Sequence, residues 1–245
     1  MFDYNNKMNL KKLIYTQVSL IIAILLFASC SESPSEGTPS ENITPKQVIQ
    51  NTKTSMESLI SYRLDLDHKS SPGTLLGDTG LTISEASAII DVESSNIYIE
   101  GNLLLGNIVL KTKYIKSNAK SYYINPITQK WESIDSKDNP LSLAVEGLNE
   151  ILFSTIDQIQ SPTLENSNTN NYIIKGFISS SIFSLLLDDY LENSLLATLT
   201  INKNTFRLNK IEISGQASKY DDPNIVRRLI ISNFNEPTNI SEPSL

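Results

Sequence analysis

Cysteine and histidine each occur once in this chain of 245 residues, as Cys30 and His68. A single cysteine excludes an internal disulfide and a zinc site built from cysteine pairs. A single histidine removes most nucleophile–histidine triads and histidine-rich metal centres. Because these residue types carry much of enzyme chemistry, we expect no enzyme activity, no metal and no cofactor. An enzyme with an unfamiliar site is the weakest of the alternatives.

Four other polar features could do chemistry. The carboxylate pairs Asp188–Asp189 and Asp221–Asp222 could form an acid–base dyad, but sequence neighbours point apart on a strand or helix. We interpret both pairs as solvated loop charges. Arg227–Arg228 could meet an anionic group or lie on a solvated sheet face, and the solvated face is favoured. His68 follows the polar end of a predicted strand and is interpreted as a solvated surface histidine.

The charge balance excludes a further class of partner. The chain has 20 Lys and Arg against 27 Asp and Glu, which gives a net charge of −7. Affinity for nucleic acid depends on basic side chains that neutralise phosphates, and this sequence has no basic cluster. We therefore expect no nucleic-acid partner.

The only long apolar run lies directly before Cys30. Lysines at 7, 11 and 12 precede an apolar stretch, residues 13–27, which is followed by Ala28 and Ser29. This order is typical of a secretory signal peptide. The alternative is a transmembrane helix, but the densely apolar part, residues 18–27, is much shorter than the roughly 20 residues needed to cross a bilayer.

The sequence FASC, residues 27–30, resembles the bacterial lipobox. That resemblance implies cleavage after residue 29 and acylation of Cys30 with palmitate-type chains, which makes Cys30 a lipid anchor. A free thiol or a packing cysteine is the alternative. Residues 31–42 read SESPSEGTPSEN and are too polar to fold, so residues 30–43 are interpreted as a disordered tether.

The remainder has the pattern of one α+β domain. Thr44, Pro45 and Gln47 form a capping-box pattern that predicts a helix over 45–59, and a second helix follows Asp138-Asn139-Pro140. An apolar stretch at 181–191 predicts a third helix. About ten strands are predicted, at 62–67, 86–93, 96–105, 107–116, 120–125, 156–165, 171–179, 194–201, 206–215 and 226–234.

The order of these segments is similar to that of the LppX/LprG-type lipoproteins, which belong with the LolA/LolB-like carriers. The segments that carry the resemblance are SYYINPITQKWESID (121–135), NPLSLAVEGLNEIL (139–152), YIIKGFIS (172–179) and NIVRRLIISNFNEPTNISEP (224–243). The resemblance implies that residues 44–243 form a lipid-binding domain. Its expected fold is a curved antiparallel half-barrel sheet of about eleven strands, with helices that cover the concave face and an apolar cavity for acyl chains.

Eleven apolar residues on the predicted inner faces are candidates for the cavity lining. Ordinary core packing has the same sequence signature, so a filled core remains open for each of them. The candidates are Ile97, Ile99, Leu103, Leu105, Leu148, Leu152, Ile174, Phe183, Leu186, Leu199 and Ile201.

The sequence therefore predicts an extracytoplasmic, lipid-anchored protein of the cell envelope. We expect it to bind a lipid or glycolipid, with transport to or across the envelope as its role and an envelope transporter or acceptor protein as a further partner. The alternative is an anchored structural or adaptor module with a filled core and a protein partner.

Overall fold

The computed structural model describes residues 43–76, 80–118, 120–125, 127–135, 140–165, 168–187 and 189–245, with the backbone alone for 140–146. The predicted signal peptide (1–29), Cys30 and the tether as far as residue 42 lie outside the described residues. So do the predicted cap residues Asp138–Asn139 and Asp188 of the first carboxylate pair.

The predicted capping box is present at the start of the first helix, α1 (Pro45–Glu57). The Thr44 side chain accepts from the Gln47 backbone N–H at 3.3 Å, and Gln47 Oε1 accepts from the Thr44 backbone N–H at 2.9 Å. These bonds satisfy backbone donors that a helix start leaves free. Val48 and Met56 lie on the buried face of α1.

Twelve antiparallel strands form one open sheet. They are β1 (Ser61–Lys69), β2 (Thr74–Leu76), β3 (Leu81–Asp91), β4 (Asn96–Leu105), β5 (Ile108–Ser117), β6 (Lys120–Ile124), β7 (Trp131–Ile134), β8 (Gln160–Leu164), β9 (Asn171–Ser179), β10 (Ser194–Asn202), β11 (Leu208–Ser214) and β12 (Val226–Ser232).

The strand order is β7-β6-β5-β4-β3-β1-β12-β11-β10-β9-β8, and β2 pairs with the first residues of β3. Two meanders are thus joined through β1, which pairs with β3 on one side and with the last strand on the other. The edge strands β7 and β8 lie at opposite ends of this order, so the sheet is a half-barrel that does not close. The predicted fold class is confirmed.

The second helix, α2 (Pro140–Gln158), lies between β7 and β8 in the chain. It continues through residues 156–158, which were predicted to begin a strand, so β8 starts only at Gln160. The prediction of a third helix at 181–191 is wrong. Only a short 3-10 turn, Ser180–Phe183, forms there, followed by irregular turns. Two short strands, β2 and β7, were not predicted.

Candidate functional site

A continuous row of apolar side chains crosses the inner face of the sheet. The strand registers pair Ile174 with Leu199, Leu199 with Ile211, Ile211 with Leu229, and Leu229 with Leu66. Side chains alternate between the two faces of a strand, so direct partners of this kind share one face. Each of the five is at most 5% exposed, and the row forms the floor of the protein interior.

The interior is covered by the C-terminal part of α2 and by residues 180–187. Leu148, Ile151 and Leu152 on α2 are buried, as are Phe183 and Leu186 in the 180–187 segment. The two parts of this cover pack closely, since a Cβ atom at Gly147 would lie 2.6 Å from Leu186 Cγ. Tyr62 ties the sheet to the cover, because its hydroxyl donates to Asn149 Oδ1, and burial raises the pKa of this phenol.

Little space remains between floor and cover where the structure describes both. The cavity there has a volume of about 10 Å³ and is bounded by Leu66, Ile83, Leu148, Phe183 and Leu229 among others. A single water molecule needs about 10–15 Å³, so this void cannot hold an acyl chain as it stands.

One end of the interior is polar. The same small cavity is bounded by Thr74 and Arg227, which are each 2% exposed. Arg227 Nε donates to Thr74 Oγ1 at 2.8 Å, and the guanidinium carbon lies 4.8 Å from the centre of the Phe183 ring. His68 is the direct cross-strand partner of Arg227, and its Nε2 lies 2.9 Å from the same Thr74 oxygen.

These contacts assign the tautomer of His68. Its Nδ1 lies 2.9 Å from the Ser84 carbonyl oxygen, which can only accept, so Nδ1 carries the proton. Nε2 then accepts from the Thr74 hydroxyl, and Thr74 in turn accepts from Arg227. Burial lowers the pKa of His68, and the Arg227 charge lowers it further, both of which favour this neutral form.

The counter-ion of Arg227 is Asp221, which is also buried. Arg227 Nη2 lies 2.6 Å from Asp221 Oδ1, and both side chains are at most 2% exposed. The contact lacks hydrogen-bond geometry, and both atoms are without a hydrogen-bond partner, so we treat it as charge pairing only. Asp221 Oδ2 accepts from the backbone N–H groups of Ala217 and Ser218 at 2.7 and 2.9 Å. Burial lowers the pKa of Arg227, and Asp221 opposes that shift.

The structure brings most of the predicted lining residues together inside. Ile97 is partly buried against the core, and Leu105 departs from the expectation because it is 47% exposed at the last position of β4. The other nine are buried in the one apolar core: Ile99, Leu103, Leu148, Leu152, Ile174, Phe183, Leu186, Leu199 and Ile201. Their contact with a ligand stays a prediction.

Three predictions about the exposure of polar residues are wrong. His68 is not solvated, because both ring nitrogens have partners inside the protein. Asp221 is a buried counter-ion, and Arg227 faces the interior. Only Arg228 lies on the solvated face, where it pairs with Asp67. The sequence did indicate that His68 and Arg227 face the interior. His68 continues the alternating series of Leu64 and Leu66, and Arg227 alternates in the same way with Leu229 and Ile231.

The outer face of the sheet carries two larger grooves. One of about 640 Å³ is bounded largely by charged and polar side chains, including Arg63, Asp65 and Glu100. The other, of about 370 Å³, lies beneath the C-terminal segment 233–241 and is bounded by Tyr98, Ile115 and further residues. Neither groove includes the polar end of the interior.

Among the described residues, no group of three or more His, Cys, Asp or Glu side chains is arranged to hold a metal ion. None of the helices in that part of the chain is both long enough and apolar enough to span a bilayer.

Comparison with known proteins gives matches in structure alone. No family model and no curated sequence matches the chain. LprF from Mycobacterium bovis superposes with a TM-score of 0.59 at 16% identity, over 85% of this chain and all of LprF. The lipoprotein LppX from Mycobacterium tuberculosis superposes with a TM-score of 0.54 at 15% identity, over 80% of this chain and 98% of LppX. The open antiparallel sheet covered by α2 is therefore the fold of the LppX/LprG-type lipoproteins, as the resemblance implied.

Proposed function

We propose that this chain is a membrane-anchored, extracytoplasmic lipoprotein that binds the acyl chains of a lipid or glycolipid between its sheet and α2. The observation that carries this proposal is the apolar row Ile174–Leu199–Ile211–Leu229–Leu66, which faces an equally apolar cover. The likeness in fold to LppX, which is a lipoprotein, supports the proposal.

Binding beside Leu148, Phe183 and Leu229 requires the cover to move, since the cavity there is only about 10 Å³. The cover is held mainly by apolar packing and takes no part in the strand ladders, so it can shift while the sheet stays intact. The shift exposes apolar surface, and an acyl chain that enters covers that surface again. Each CH₂ group removed from water contributes about 0.8 kcal/mol, which offsets the lost packing. The 10 Å³ cavity is the natural starting point for this opening.

A second candidate function rests on the same filled interior. A domain whose core is permanently packed would be an envelope adaptor or structural module, with its function on the outer surface. The small interior cavity and the larger outer grooves favour this alternative.

Native mass spectrometry of the chain carrying Cys30→Ser, purified from a lipid-containing bacterial host, separates the two functions. We expect a bound lipid of defined mass. Leu229→Trp should fill the cavity and remove the lipid, since Leu229 lies on the cavity wall. Ile230→Trp is the matched control, because Ile230 is the next residue of β12 and is 36% exposed. Overpacking costs about 1–3 kcal/mol, so a thermal melt must show that Leu229→Trp is folded.

Lipid-free protein under conditions that preserve lipid complexes would contradict the carrier function and leave the adaptor. Equal loss of lipid from both folded tryptophan variants would place binding elsewhere than between sheet and α2.

A further inference from the structure

The ion pair Arg227–Asp221 is unusual for a protein interior. These are the two buried charged residues among the part of the chain that the structure describes. Replacement of a buried ion pair by apolar residues is often neutral or stabilising, so the pair is poorly explained as a contribution to stability. Its place in the wall of the proposed lipid site indicates a different role.

Arg227 has donor capacity that its present partners do not use. Nε donates to Thr74, Nη1 donates weakly to the Gly215 carbonyl oxygen at 3.4 Å, and Nη2 meets Asp221 without hydrogen-bond geometry. A guanidinium presents a planar set of donors that fits the two oxygens of an acidic group. Five guanidinium N–H groups thus face three partners, and an incoming anionic oxygen could bind at Nη1 and Nη2 in competition with Asp221, which lies 2.6 Å from Nη2.

The cover shields this arginine from the rest of the interior. The Phe183 ring lies over the guanidinium, and Phe183 and Leu186 line the same cavity as Arg227. A movement of the cover that displaces Phe183 would uncover the guanidinium face. The head of a lipid whose chains lie along the apolar row would then meet Arg227 and Thr74.

We propose that Arg227, with Thr74 beside it, binds the acidic head of the lipid, so that the protein selects lipids with a carboxylate or phosphate group over neutral lipids with the same chains. This inference rests on the proposed function. Asp221 is the resident counter-ion, which keeps the empty site neutral and competes with the ligand for Arg227. Charge-assisted hydrogen bonds in such a water-poor site are stronger than neutral ones.

Two matched ligand pairs test this with the full chain carrying Cys30→Ser. Oleate is compared with oleyl alcohol, and dioleoyl phosphatidic acid with dioleoylglycerol, at a pH where the acids are ionised. We expect the acid to bind at least about tenfold more tightly in one or both pairs. Selection in the first pair identifies a carboxylate head, and selection in the second a phosphate head. Inorganic phosphate alone should not bind, because it lacks the chains.

Substitutions at the ion pair should change the preference for the acidic lipid in a direction that the charges determine. Asp221→Asn removes the competing charge while its amide oxygen can still accept from Ala217 and Ser218, so the preference for the acid should increase. The double variant Arg227→Met, Asp221→Asn should bind acid and alcohol equally, and it leaves no unpaired buried charge. The matched control is Arg228→Met, Asp67→Asn, which removes the neighbouring ion pair on the solvated face. This control should keep the preference.

Equal binding of acid and neutral lipid by the natural chain would overturn the inference and leave the proposed function standing. A preference that survives in a folded Arg227→Met, Asp221→Asn variant would overturn it as well. Failure of all four lipids to bind would contradict the proposed function itself, and the inference with it.

Discussion

His68 illustrates how a single half-buried residue couples this fold to pH. Its Nδ1–H donates to the Ser84 carbonyl oxygen and its Nε2 accepts from the Thr74 hydroxyl, which is an arrangement that satisfies the neutral ring. Burial lowers the pKa of His68 most, and the charge of Arg227 across the strand pair lowers it further, whereas the Ser84 bond, Asp67 and Asp221 act in the opposite direction. Protonation would turn Nε2 into a donor, so that Thr74 would have to accept from both His68 and Arg227, and it would place a second cation beside Arg227.

The sign of the pH dependence follows from the lowered pKa. The unfolded chain takes up the His68 proton near its ordinary pKa of about 6.5, and the folded chain takes it up only at lower pH. The stability that neutral His68 contributes is thus fully present above about pH 6.5 and is lost progressively as the pH falls from there through the lower pKa of the folded chain. Urea unfolding should show that, as the pH is lowered from 7.5 to 5, the unfolding free energy of His68→Gln falls by less than that of the natural chain. Identical slopes in both chains would contradict the half-buried neutral histidine.

The sequence was informative for most apolar residues, with Leu105 as an exception, and misleading for His68, Asp221 and Arg227. Alternation placed Ile174 and Leu199 on the inner face correctly, since apolar side chains on one face of a strand seek a common core. The same alternation places His68 and Arg227 on that face, but isolated polar residues are expected in water. Their side chains are satisfied by Thr74, Ser84 and Asp221, which only the long-range pairing of strands brings near them.

At the scale of elements, β2 positions Thr74 and depends on a close backbone approach. Gly73, directly before β2, has φ of 155°, and a Cβ atom there would lie 2.1 Å from the Ile83 carbonyl oxygen of β3. A side chain at residue 73 would therefore push β2 away from β3 and move Thr74 away from Arg227.

Gly73→Ala should destabilise the protein by more than Gly106→Ala, which is a matched control. Gly106 also has a positive φ, of 58°, but a Cβ atom there meets nothing within 4 Å. Backbone strain alone costs about 1–2 kcal/mol in the left-handed region that Gly106 occupies. The φ of 155° at Gly73 lies in a region open almost only to glycine, so the excess at residue 73 combines backbone strain with the steric collision. Thermal or chemical unfolding gives both values. Equal losses would show that β2 does not pack on β3 as described.

The elements also show where sequence patterns stop being informative. The capping box at Thr44 is a local signal, and it specified the start of α1. The stretch 181–191 has apolar residues at helical spacing, yet it forms only the turn Ser180–Phe183 before continuing irregularly. Its apolar residues are required by the interior that it covers, and tertiary packing overrides the local helical preference there.

At the scale of the whole molecule, the proposed anchor determines where the domain works. The predicted tether over residues 31–43 would have an average reach of about 20 Å, so the domain would remain next to the membrane that holds it. A carrier of this kind would collect or present lipid at its own membrane rather than diffuse between membranes.

Metabolic labelling with a radioactive or alkyne-bearing fatty acid tests the anchor independently of the interior. We expect covalent label on the natural chain and none on Cys30→Ser, because the chain has no other cysteine. Label that persists in the substituted chain would contradict acylation at Cys30.

Photo-crosslinking can locate a lipid bound between the sheet and α2. A fatty acid with a diazirine near the end of its chain is bound to the Cys30→Ser chain, activated by light and mapped by peptide mass spectrometry. We predict crosslinks to the apolar floor and cover, with Leu148, Phe183, Leu186 and Leu229 among the labelled residues. Crosslinks confined to the outer groove near Tyr98, Ile115 and Ile240 would contradict the account.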